Sequence, residues 1–167
     1  VDAFAHQPLT GNPCAVVLGT EKLSDSQMLA IAKEMNQSET AFLMKSEKSD
    51  LRARYFTPEQ EIPLAGHPTI AAIHTALEFG WITCNKPITA FSLELKEGPI
   101  TVEAEKMPSG SLLIRMFQRK PIFGETHDPK EVLPLFGLSL ADLKPNCTIQ
   151  TVSTGTPQLM IPLQSHE

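Results

Sequence analysis

The stretch "IPLAGHPTIAAIHTALEFG", Ile62 to Gly80, decides the fold. Proline is favoured at the first helical position, where its missing N–H would have no partner anyway. That makes His67 the cap and Pro68 the first residue of a helix over 68–79, with Gly80 as its stop. Ile70, Ala71, Ala72, Ile73, Ala76, Leu77 and Phe79 cover most of the circumference, and Thr69, His74, Thr75 and Glu78 are the polar remainder. A helix apolar on nearly every side must be buried on nearly every side. The segments around it are strand-like, so the economical architecture is α+β: a curled, mostly antiparallel sheet wrapped around one central helix.

Working outward, "VDAF" and "CAVVLG" (Cys14–Gly19) are apolar, β-branched pieces joined by the turn-forming "AHQPLTGNP". In "SDSQMLAIAKEMN", Ser24 caps a helix with Gln27 three residues on, and Asn36 is the exit. Met28, Ile31, Ala32 and Met35 recur at helical spacing and predict a buried stripe. "SETAFLM" switches to a period of two, with Glu39, Ala41 and Leu43 on one face and Thr40, Phe42 and Met44 on the other. "LRARYFTP" then predicts a hairpin partner for it. "ITAFSLEL", "ITVEAE" and "SLLIRMF" form a meander. Beyond Gln118 a proline-punctuated linker with one or two short helices leads to the strands "TIQTVST" and "QLMIPL". This predicts a complete first lobe at 1–117 and the beginning of a second, incomplete lobe at 118–167. Both ends read as cut, so a fragment is expected.

The chain has 167 residues, 41% hydrophobic and 20% charged, with a net charge of −5. There is no Lys/Arg cluster or row of aromatics, so no nucleic-acid partner is expected. The apolar runs fall short of the roughly 18–20 residues that span a bilayer, so no membrane partner is expected either. Cys14, Cys84 and Cys147 show no CxxC spacing and read as reduced thiols of a cytoplasmic protein, with no metal site.

Chemistry points to the helix start. The first N–H groups of a helix have no intrahelical partner and carry partial positive charge. Gly66, His67, Pro68 and Thr69 thus make either a seat for a carboxylate or phosphate, or a plain structural cap. Glu39 leads an apolar strand face, so it lies at a solvated rim or faces a cleft as a proton-transfer group. "TGNP" (Thr10–Pro13) is a turn in which Asn12 offers a ligand-facing amide. His74 reads as a satisfied core histidine and Cys14 as packing.

Together, "VDAF", "GNPCAVVL", "LSDSQMLAIAKEMNQSETAF", "RYFTPEQEIPLAGHPTIAA" and "TVSTGTPQLMIPL" resemble the PhzF family, the phenazine-biosynthesis-type isomerase-like proteins. The resemblance implies a diaminopimelate-epimerase-like fold of two similar lobes with the active site between them. It implies that Glu39 is the acid/base carboxylate, that Gly66 and His67 contact substrate, and that no cofactor is used. Diaminopimelate epimerases and proline racemases place a catalytic cysteine just before the glycine of the central helix. Ala65 stands there instead, which disfavours two-thiol racemisation. Full-length relatives also bring a second glycine-rich helix start, which nothing here matches. The expected function is a cofactor-independent isomerase acting on a small carboxylate, with a homodimer expected from relatives. Its rivals are a non-catalytic carboxylate-binding protein and an interaction fragment.

Overall fold

Two helices thread the sheet of the first unit, and each lies between strands that run parallel. The computed structural model describes residues 1–165. The chain divides into two units, Val1–Phe117 and Gln118–Glu167.

In the first unit, β1 (Asp2–Ala3) and β2 (Asn12–Pro13) form a small antiparallel ladder. There follow β3 (Ala15–Leu18), α1 (Asp25–Met35), β4 (Thr40–Met44), β5 (Leu51–Phe56), β6 (Glu61–Ile62), α2 (Gly66–Glu78), β7 (Ile88–Leu95), β8 (Gly98–Lys106) and β9 (Leu112–Met116). The seven-stranded sheet has the order β3-β4-β5-β7-β8-β9, with β6 beside β5. The pairs β3–β4 and β5–β7 are parallel. These are the pairs with a helix between them, because a parallel connection needs a crossover. The other pairs are antiparallel, including the expected β4–β5 hairpin.

β4 is buried at all five positions. Ala41 and Leu43 join the core around α2, whereas Phe42 and Met44 pack with Met28, Ala32 and Phe56 beneath α1. Phe42 and Phe56 meet edge to face, with ring centroids 5.3 Å apart. The sheet therefore holds α2 against one face and α1 against the other. In α1 the capping box of Ser24 and Gln27 and the left-handed Asn36 stand as expected. The stripe is shorter than expected: Met28 and Ala32 are buried, Ile31 is half-buried, and Met35 is 48% exposed at the last turn.

α2 begins two residues earlier than its proline suggests. Ala65 is the cap, Gly66 opens the helix and Pro68 sits third. Proline is tolerated there because the N–H groups of the whole first turn lack intrahelical acceptors. The end is as expected: Gly80 adopts φ +69°, and its N–H donates to the Leu77 carbonyl while Trp81 N–H donates to Ala76. Pro68, Thr69, Ala71, Ala72, Ile73, Thr75 and Ala76 are buried. The buried threonines are satisfied within the helix, Thr69 Oγ1 donating to Ala65 O and Thr75 Oγ1 to Ala71 O. The exposed strip carries His74 and Glu78, so His74 is a surface residue and not the core histidine expected.

The second unit is a three-stranded antiparallel sheet, β10 (Ile122–His127), β11 (Ile149–Ser153) and β12 (Pro157–Met160), in that order. Between β10 and β11 lie α3 (Pro129–Val132) and a 3-10 turn, Leu133–Phe136. β10 occupies chain that the sequence reads as linker. It has no buried face to create an alternating pattern, and its register shifts between Phe123 and Thr126.

Candidate active site

The period of two in β4 carries back one residue beyond the strand. Glu39 falls on the face of Ala41 and Leu43, the face that packs on α2. Its Oε2 lies 3.3 Å from His67 Nε2, at the first turn of that helix. The Glu39 side chain keeps 23% exposure and that of His67 10%, so the pair is neither a solvated rim nor a sealed core. Ser38, which the sequence does not single out, donates from its hydroxyl to the same Oε2 at 2.9 Å. Glu39 Oε1 has no hydrogen-bond partner among the described residues.

His67 Nε2 is within ion-pair range of Glu39 but is not aligned for a hydrogen bond, and it is buried without a hydrogen-bond partner among the described residues. A buried ring nitrogen of this kind calls for an explanation, and a ligand polar atom would supply one. The amides of Gly66 and His67 likewise donate to nothing among the described residues. A Cβ added at Gly66 would meet no atom within 4 Å. The helix start is therefore open, with two amide donors beside a carboxylate.

The expected anion seat narrows accordingly. Pro68 has no N–H and is buried. The Thr69 side chain is fully buried, with Tyr55 Oη at 2.7 Å and Ala65 O at 2.6 Å from its oxygen, so its hydroxyl is taken up inside the core. Asn12 lies exposed on β2 opposite Ala3, and no hydrogen bond links it to Glu39 or His67 among the described residues.

Cys14 is 2% exposed, and burial pushes its thiol up to about 11, with the nearby Glu39 charge adding to the effect. It stays a thiol at neutral pH and is no base. Ala65, and no cysteine, caps α2. Two hollows lie off this chemistry. One of about 550 Å³ is bounded by Leu9, Pro13, Cys14, Met35 and Gln37 among others, and one of about 320 Å³ lies on the second unit's sheet among mostly apolar side chains, with Thr148 and Gln150 at its wall. Neither is lined by Glu39 or His67, and the second has no titratable side chain. The helix start carries the candidate chemistry because charge, open amides and an unpartnered ring nitrogen meet there. Among the described residues no group of three or more His, Cys, Asp and Glu is placed to hold a metal ion, and no helix is long and apolar enough to cross a membrane.

The family profile described as "Phenazine biosynthesis-like protein" matches residues 1–167. The chain belongs to this phenazine biosynthesis-like family. A family relative from Salmonella typhimurium, "Uncharacterized isomerase YddE", is 39% identical over 173 residues, covering 98% of this chain and 54% of its own. The "Trans-2,3-dihydro-3-hydroxyanthranilate isomerase" of Pseudomonas chlororaphis is 38% identical over 140 residues, covering 83% of this chain and 48% of its own. The chain thus spans about half the length of these relatives. The crystal structure of a Bacillus anthracis PhzF-family protein superposes with a TM-score of 0.83 at 32% identity, over 98% of this chain and 54% of that one. A hydroxyproline epimerase from Agrobacterium vitis, at 14% identity and a TM-score of 0.55 over 75% of this chain and 35% of its own, shares the fold alone. The family's epimerase-like fold is that of this chain, and the curled sheet around α2 is its hallmark here.

Proposed function

We propose that the protein is a cofactor-independent isomerase that moves a proton within a small carboxylate-bearing metabolite, cyclic and unsaturated like a dihydro-hydroxyanthranilate. One observation carries this: Glu39 Oε2 lies 3.3 Å from His67 Nε2 at the open start of α2. The isomerase names of the relatives support the reaction class, and the Pseudomonas chlororaphis name supports the substrate class.

The substrate carboxylate takes the Gly66 and His67 amides, where the helix dipole favours negative charge. Ser38 donates to Oε2, which leaves Oε1 to act as base. Oε1 takes a proton from a C–H carbon, the electron pair moves into the adjacent unsaturated system, and a double bond shifts. The protonated carboxyl then returns that proton to a different carbon. No electrons leave the substrate, so the balance needs no oxidant or reductant.

Glu39→Gln is the test. Turnover of trans-2,3-dihydro-3-hydroxyanthranilate falls by about a thousandfold, the scale of general acid–base catalysis, while the melting temperature and anthranilate binding hold. Undiminished turnover would remove Glu39 from the role.

A further inference from the structure

Tyr55 is 1% exposed in a core whose other buried side chains are aliphatic or small. Phenylalanine would fill that space without a hydroxyl to satisfy. The Tyr55 hydroxyl lies 2.7 Å from Thr69 Oγ1, which lies 2.6 Å from the Ala65 carbonyl oxygen. The direction of this series follows from proton count. Ala65 O can only accept, so the single Thr69 hydroxyl proton goes to it, and Thr69 Oγ1 accepts from Tyr55. Burial pushes the Tyr55 phenol well above its ordinary value, so it keeps this proton throughout the physiological range.

The two ends of the series belong to the two sides of the candidate site. Tyr55 stands opposite Ala41 in the β4–β5 ladder, and Glu39 precedes Ala41 by two residues on the same face. Ala65 is the cap of α2, next to Gly66 and His67. We propose that Tyr55 and Thr69 are positioning residues, a two-bond strut that sets the Gly66–His67 helix start against β5, the partner of the strand that leads from Glu39. The inference rests on the function proposed above, in which Glu39 and the helix start act on one ligand. A satisfied pair of neutral hydroxyls adds little net stability over a matched apolar pair. Its bonds are directional, however, and they hold a distance that apolar packing alone leaves slack.

The test compares Tyr55→Phe, Thr69→Val and Thr69→Ser in the 167-residue chain, by NMR of the Gly66 and His67 amides and the His67 ring and by calorimetric titration with anthranilate. Tyr55→Phe and Thr69→Val shift all of these resonances and weaken anthranilate about five- to tenfold, the scale of one hydrogen bond. Thr69→Ser keeps the hydroxyl and retains both wild-type resonances and wild-type affinity. The strut is overturned if Tyr55→Phe leaves the resonances in place, or if Thr69→Ser moves them as far as Thr69→Val, because methyl packing would then set the helix. Should Tyr55→Phe fail to fold, the two Thr69 variants decide. A wild-type chain that does not take up anthranilate counts against the proposed function and leaves the strut to the resonances.

Discussion

A methyl group added at Gly66 would project into open space, and Gly66 already has ordinary helical geometry at the first position of α2. Gly66→Ala therefore separates fold from site. Alanine loses less chain entropy than glycine on entering a helix, so stability in urea holds or rises by up to about 1 kcal/mol. The same methyl obstructs approach to the free amides, and anthranilate binding falls about tenfold, the order of one lost charge-assisted hydrogen bond. Titration of both chains checks this, and equal affinity would mean that the helix start holds no anion. At this scale the site was partly legible beforehand. Alternation in "SETAFLM" assigns Glu39 to the face of Ala41 and Leu43, which is why it meets His67. Because α2 opens two residues before its proline would set it, Thr69 is fourth in the helix and not second, and its side chain is buried. Ser38 and Tyr55 are not legible in the sequence because their hydroxyls act through a partner next in the chain or one far along it, and neither arrangement leaves a periodic trace.

Between elements, Arg54 on β5 ties the start of α1 to β6. Its Nη1 lies 2.8 Å from Asp25 Oδ1 and its Nε 2.8 Å from Glu61 Oε1, with Lys96 Nζ 2.9 Å from the other Glu61 oxygen. The Arg54 and Glu61 side chains are only 15% and 13% exposed, so solvent screens this pair weakly. Arg54→Met leaves Glu61 half-supported and costs about 2 kcal/mol at neutral pH. The hydrogen bond from Arg54, ahead of opposing burial, holds the Glu61 carboxyl below its ordinary value. A carboxyl lowered in this way contributes stability that is fully present above its unfolded value and is lost as pH falls through its folded value. The gap between wild type and Arg54→Met in urea midpoint therefore narrows from about pH 7 to about pH 3. A gap that ignores pH would show that Arg54 acts by packing on Phe56, whose ring centroid lies 5.2 Å away. Elements were legible where local chemistry marks them: the box at Ser24, the left-handed Asn36 and the stop at Gly80. β2 and β6 are two residues each, too short to show a period. β10 is exposed along nearly its whole length, so no inward face patterned its residues.

Across the whole molecule, burial is shared unequally between the two units. The first encloses α2 and underlies α1 with continuous apolar clusters, and β4 is buried throughout. In the second, Leu133 and Ile149 are the buried hydrophobics among the described residues, while Ile122, Phe123, Leu135, Phe136, Leu140, Leu159, Met160 and Leu163 stand exposed. Burial of apolar area is what opposes chain entropy, at about 25 cal/mol per Å², and a segment this small has little of it. Backbone hydrogen bonds then open at the free energy of the local unit and not of the whole chain. Amide hydrogen exchange of the 167-residue chain is therefore expected to fall into two classes. The amides of β4, β5, β7 and β8 exchange only through global opening of the first unit. Those of β10, β11 and β12 exchange faster by about two orders of magnitude or more, a difference of roughly 3 kcal/mol in opening free energy. The contrast is sharpest between Phe42 and Val152, since each sits on a strand paired on both sides. Equal protection at these two amides would mean that the second unit draws its stability from the first, and that the chain opens as a single cooperative body.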